Sequence, residues 1–134
     1  MKLIEYYLNI FHYVIYVYCI KYKRFLPGYS PSLNSGIIMM WLSLILVMQL
    51  LIIHSLIYKI FHISYSSDYD FYSTIFFELL VWFSVIHKEK YRLYFKEFKQ
   101  LPPEIIKKWQ KNTHLALLIT LMFLVVSMLL LNVL

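Results

Sequence analysis

The sequence predicts an all-α integral membrane helical bundle with four transmembrane helices, the last two prolonged into a cytoplasmic helical hairpin. Three observations carry that prediction. Hydrophobic residues make up 61% of the 134 residues and charged ones 15%, against roughly 45–50% and 25% in soluble domains. Two apolar runs are long enough for a helix to cross a hydrocarbon layer of about 30 Å. Finally, residues 88–111 hold Lys88, Lys90, Arg92, Lys96, Lys99, Lys107, Lys108 and Lys111 against Glu89, Glu97 and Glu104. A basic segment between apolar runs is one that the positive-inside rule keeps in the cytoplasm. No Pro/Gly/Ser-rich linker divides the chain, so one domain over 1–134 is expected.

Residues 3–20 form the first apolar stretch, about 27 Å long as a helix. Glu5, Asn9, His12 and Tyr16 follow one another at steps of four, three and four, which puts them on one face. In a spanning helix that stripe must turn toward protein, since lipid satisfies no polar group. In an interfacial helix it would face water while Ile4, Leu8, Phe11 and Ile15 enter the acyl boundary. The spanning placement is preferred because interfacial helices carry a Lys/Arg-rich polar face and this one does not. Its Tyr content, its interruption by Asn9 and His12, and the lack of a small-x-small site before Lys21 argue against a cleaved leader.

Lys21, Lys23 and Arg24 read as a cytoplasmic anchor, and Pro27, Gly28, Pro31 and Gly36 as breakers of a turn, with Pro31 and Ser32 also able to open a helix. The stretch 37–60 is the clearest spanning helix, its apolar part about 33 Å long. Residues 64–70 contain Asp68 and Asp70 and no Lys or Arg, which assigns them outside. The chain returns over 71–100, where Tyr91, Tyr94, Phe95, Phe98 and Leu101 prolong the helical pattern past His87. Pro102 and Pro103 break it, and 103–133 forms the last helix. With the basic segments inside, the four helices run out to in, in to out, out to in, and in to out, leaving both termini outside. An interfacial first helix moves the N-terminus inside.

Glu78 sits about 10 Å below the outer end of the third helix, where a carboxylate costs roughly 3 kcal/mol. Gln49 lies about 13 Å in on the antiparallel second helix, so the two are expected to form an intramembrane polar pair. That pair is either a clasp fixing helix register or part of an ion path; the clasp is preferred, since no second acidic residue lies near the midplane. Thr113, Ala116, Thr120 and Ser127 form a helix-packing face on the last helix, within the chain or in self-association. The five histidines have no ligand motif, so no metal or haem site is expected. Tyr58, Phe61, Tyr65, Tyr69 and Tyr72 read as an outer aromatic belt, and Tyr91 and Trp109 as an inner one. The single cysteine, Cys19, excludes an internal disulfide, and two glycines leave no phosphate cradle and no cofactor motif.

Eleven of the thirteen basic residues lie in the two clusters beside apolar segments. They are expected to meet anionic headgroups, at about 1 kcal/mol per cation near the surface, or another membrane protein. Nucleic acid is not an expected partner.

The segment from Phe25 to Ser32 (FLPGYSPS) before the second span, with that from Tyr91 to Phe98 (YRLYFKEF) before the last, resembles uncharacterised small multi-pass proteins of Bacteroidota. The resemblance implies a bacterial inner (cytoplasmic) membrane protein, and carries over no activity and no site residue. The functional expectation is a non-enzymatic multi-pass protein acting by contact, as a subunit, scaffold or immunity-type protein. The alternative is a small oligomeric ion channel or membrane-permeabilising effector with Glu78 and Gln49 near the path.

Overall fold

The computed structural model describes residues 2–22, 30–63 and 66–134. Lys23, Arg24, Pro27 and Gly28 of the expected turn, and Tyr65 of the expected belt, lie outside those residues. Among the described residues the chain is all-helical, with five α-helices: α1 (Lys2–Tyr22), α2 (Pro31–Phe61), α3 (Ser67–Val81), α4 (Tyr91–Phe98) and α5 (Pro103–Val133). Four helical stretches are long and apolar enough to cross a membrane: α1, α2, Asp68–Glu89 and α5.

Helix α2 begins six residues earlier than its apolar run. Ser30 caps it by accepting from Leu33 N at 3.3 Å, and Pro31 takes a first-turn position where its missing N–H costs nothing. At the other end His62, in the left-handed region (φ 54°), donates its backbone N–H to Tyr58. Ser66 caps α3, and Asp68 and Asp70 in the first turn complement its dipole.

The helix expected over 71–100 is broken. The chain widens into a π-helical turn at Trp82–Ile86, tightens into a 3₁₀ turn at His87–Glu89, and passes through the left-handed region at Lys88 (φ 54°) and Glu89 (φ 50°). The sequence over 87–90 is four polar residues, with no apolar side chain to favour one helix over a bend. Beyond the bend, α4 lays its aromatic row on α1 and so buries Phe95 and Phe98. A straight extension would have carried that row away from α1.

The side-chain contacts fix the helix directions. Gln49 meets Thr120 and Lys59 meets Leu131, so position rises together along α2 and α5 and they run parallel. Ser43 meets Glu78 and His54 meets Asp70, so α3 runs against α2. The end of the bundle carrying residues 88–111 is called here the basic end, and the opposite one the far end.

Helix α1 lies mainly against the basic half, although its residues Ile4, Tyr7 and Leu8 share a hollow with Ser43 and Leu46 of α2. Its partners are Ser35, Met39 and Leu42 on α2, Val81 and Ser84 before the bend, Lys90 and Tyr94 beyond it, and His114 on α5. Two cores result. Ile15 and Cys19 pack with Met39, Val81 and Val85, while Tyr13 packs with Phe95 and Phe98. The far half consists of α2, α3 and α5, and along α5 only Thr113 and Ser127 are buried.

Candidate functional site at the basic end of the bundle

The polar stripe of α1 faces protein. Glu5 accepts from Lys90 Nζ at 3.1 Å and from the Tyr94 hydroxyl at 3.0 Å. Burial, and then the bond to this carboxylate, push the Tyr94 phenol above its ordinary pKa. Asn9 Nδ2 donates to the Glu5 carbonyl at 2.8 Å and across to the Ser84 carbonyl at 2.9 Å. Ser84 lies in the π-helical turn, where carbonyls approaching a helix end lose intrahelical donors, and the Asn9 amide supplies one. His12 Nε2 stands 2.7 Å from Ser35 Oγ, and that hydroxyl donates to the Ser32 carbonyl at 2.9 Å. With its one proton so committed, Ser35 accepts from the imidazole, and His12 Nε2 carries the hydrogen. Among the described residues three buried acceptors are then without a protein partner: Asn9 Oδ1, His12 Nδ1 and Asn34 Oδ1.

Beneath this stripe lies an aromatic layer. Phe98 sits with its ring centroid 4.9 Å from Trp109, 5.5 Å from Tyr13 and 5.7 Å from Tyr6, all edge-on, a geometry that the ring quadrupoles favour.

The eight basic residues divide in two. Lys90 pairs with Glu5, Arg92 with Glu89 at 2.8 Å, and Lys99 stands over the Tyr16 ring at 5.6 Å. Lys88, Lys96, Lys107, Lys108 and Lys111 are exposed and, among the described residues, have no ion-pair partner. Two hollows open among these groups. One of about 370 Å³ lies between His12, the start of α2, Ile86 and Arg92. Another of about 530 Å³ adjoins it, sharing Ser32, Tyr91 and Arg92 and continuing to Lys96 and Lys99.

Glu78 and Gln49, expected as partners, each engage another group. The Ser43 hydroxyl lies between the Met40 carbonyl, at 2.6 Å, and Glu78 Oε1. Gln49 Nε2 donates to the Thr120 carbonyl at 2.6 Å. Ser43 and Gln49 are six residues apart, about 9 Å along the axis. The depth count behind the expected pair took α2 and α3 to end level. Asp70, three residues into α3, meets His54, seven residues short of the end of α2, so α2 overshoots by about a turn and Glu78 falls opposite Ser43. Of the face on α5, Thr113 and Ser127 are buried, Thr120 is half-buried and Ala116 is exposed; the Thr120 carbonyl accepts from Gln49, so part of this face lies against α2.

Among the described residues no three His, Cys, Asp or Glu side chains gather as a metal site requires. No protein-family model, curated protein or solved structure matches this chain.

Proposed function

We propose that the chain is a multi-pass membrane protein that works by contact rather than catalysis, with its basic end on the cytoplasmic face meeting anionic headgroups or a partner protein. One observation carries this reading: α5 exposes a long apolar face, and the basic end carries lysines that have no ion-pair partner among the described residues. Leu118, Ile119, Met122 and Val126 are each more than half exposed, which is costly in water and favourable in lipid. Lys96, Lys107, Lys108 and Lys111 lie at the other end, as the positive-inside rule asks of a cytoplasmic face. On this placement α2, the stretch Asp68–Glu89 and α5 cross the bilayer. Helix α1, whose hydrogen-bonded partners belong to the basic half, occupies the inner leaflet, and the N-terminus is then cytoplasmic. A bacterial inner membrane is the proposed location.

The polar contacts of the far half suit a clasped bundle better than a conduction path. Glu78, Gln49 and Lys59 each reach a group on a neighbouring helix of the same chain, which fixes register.

The test uses the full chain in neutral phosphatidylcholine nanodiscs, floated with anionic vesicles at low salt. Lys96→Glu, Lys107→Glu, Lys108→Glu and Lys111→Glu together should abolish co-flotation, and rising salt should do the same to the parent chain. Unchanged co-flotation would remove lipid as the partner of this surface. Tags reporting the basic end outside would overturn the reading altogether.

A further inference from the structure

We propose that the two adjoining hollows at the basic end form one groove that holds a single anionic glycerophospholipid with a hydroxylated headgroup. The proposal deepens the membrane-contact reading and rests on it in one respect, that the basic end lies at headgroup depth.

The groove is graded in polarity along its length. At one end its wall is Ile37, Met40 and Ile86, with Gly36 beside them. A Cβ at Gly36 would lie 4.0 Å from the Ile86 side chain, so the missing side chain leaves room in the apolar part. In the middle stand Ser30, Ser32 and Tyr91, at the opening turn of α2. At the other end are Arg92, Lys96 and Lys99. Acyl chain, phosphate and headgroup follow one another in a lipid in that same order of polarity.

Two independent features point to an occupant. The 31-residue helix α2 presents its N-terminal dipole to the middle of the groove, where an anion is favoured, and the neighbouring Arg92, one Nη of which is paired with Glu89 on the same wall, offers its remaining N–H groups to a phosphodiester. Separately, His12 is fully buried, lines the groove, and keeps Nδ1 without a protein donor. A buried acceptor left unpaired is costly, and a headgroup hydroxyl that enters as the imidazole is uncovered supplies the missing proton donor. A phosphate diester alone, having no O–H, cannot. The combination of anion and hydroxyl describes a polyol phospholipid such as phosphatidylglycerol. It argues against phosphatidylcholine, whose cationic head meets Arg92, Lys96 and Lys99.

The experiment is native mass spectrometry of the full chain in non-ionic detergent with phosphatidylglycerol, phosphatidylcholine or glycerol 3-phosphate as the added probe. One phosphatidylglycerol per chain should be retained, about tenfold in excess of phosphatidylcholine at equal concentration. Arg92→Ala should lower its retention several-fold, and Gly36→Leu should do so by filling the apolar part. Gly36→Ala, whose methyl meets Ile86 at an ordinary distance, should keep the fold and reduce retention less. Lys107→Glu with Lys108→Glu, outside the groove, should leave retention intact while weakening vesicle co-flotation, which separates this proposal from the surface reading. Equal retention of both lipids would overturn the proposal. So would displacement by glycerol 3-phosphate, which would make the ligand a free phosphate, or indifference to both Arg92→Ala and Gly36→Leu.

Discussion

At the basic end Phe98 is fully buried among Tyr6, Tyr13, Tyr94 and Trp109, whereas at the far end Leu118, Met122 and Val126 stand more than half exposed on a helix of higher mean hydropathy than α1. The two halves of one bundle thus hide apolar surface in different ways. The basic half wraps α2, α5 and the bend with α1 and α4 and buries the aromatic cluster around Phe98 against protein, while Leu3, Tyr7 and Leu93 stay exposed. The far half leaves its side chains to the surrounding medium and joins its helices through a few polar contacts. On the proposed placement, water and headgroups drive the first and hydrocarbon the second. Substitutions at the two ends should therefore differ in size.

The largest effect is expected from Phe98→Ala. Removing a fully buried ring costs about 3–5 kcal/mol in well-packed cores, and here it also frees Tyr6, Tyr13 and Trp109. Hydrogen exchange in detergent should show α1 and α4 opening while α2 and α5 beyond Gln49 stay protected. Equal opening at the far end would break the comparison, because it would make the bundle one cooperative unit.

Asn9→Leu should come next. It removes both donations of the Asn9 amide and strands the Ser84 carbonyl beside the π-helical turn, at about 1–3 kcal/mol. Loss of protection should centre on 82–90. A melting temperature within error of the parent's would show that the turn satisfies its own carbonyls.

These two sites also mark what was legible in the sequence. The stripe of Glu5, Asn9 and His12 was readable as one face, since helical spacing alone sets it, and so was the need to bury Tyr91, Phe95 and Phe98. Two spanning helices were readable from apolar length, and the other two from helical spacing and the flanking charges. The bend was not, because the left-handed Lys88 and Glu89 have no Gly, Asn or Asp to announce them, and only the return of α4 onto α1 selects that conformation. The Glu78 partner was missed for another reason: helix stagger is set by tertiary contacts such as His54 with Asp70, which no local pattern encodes. The groove was invisible for the same cause, as His12, the start of α2 and Arg92 meet only after the chain turns back.

Lys88→Gly should stabilise the basic half by about 1 kcal/mol. Lys88 is exposed and holds φ 54°, ψ 26°, a conformation costing an L-residue roughly 1–2 kcal/mol and glycine little. Part of that gain is lost to the greater freedom of glycine in the unfolded chain. Unfolding in mixed micelles should shift to higher denaturant. A shift downward would show that the Lys88 side chain has a stabilising role that its exposure hides.

The smallest effect is expected where the far half is clasped. Ser43→Ala removes the hydroxyl that reaches Glu78 and the Met40 carbonyl. In water such a loss beside a carboxylate would be large, but interhelical hydrogen bonds measured in membranes average only about 0.6 kcal/mol, because the separated helices find other partners there. The far half should therefore lose well under 1 kcal/mol in mixed-micelle unfolding, with α1 and α4 unaffected. A loss of several kcal/mol would mean that Glu78 has no alternative donor and that this one contact, rather than the surrounding hydrocarbon, sets the register of α3 on α2. In that event the contrast between the halves would reduce to a difference in the number of contacts, not in their kind.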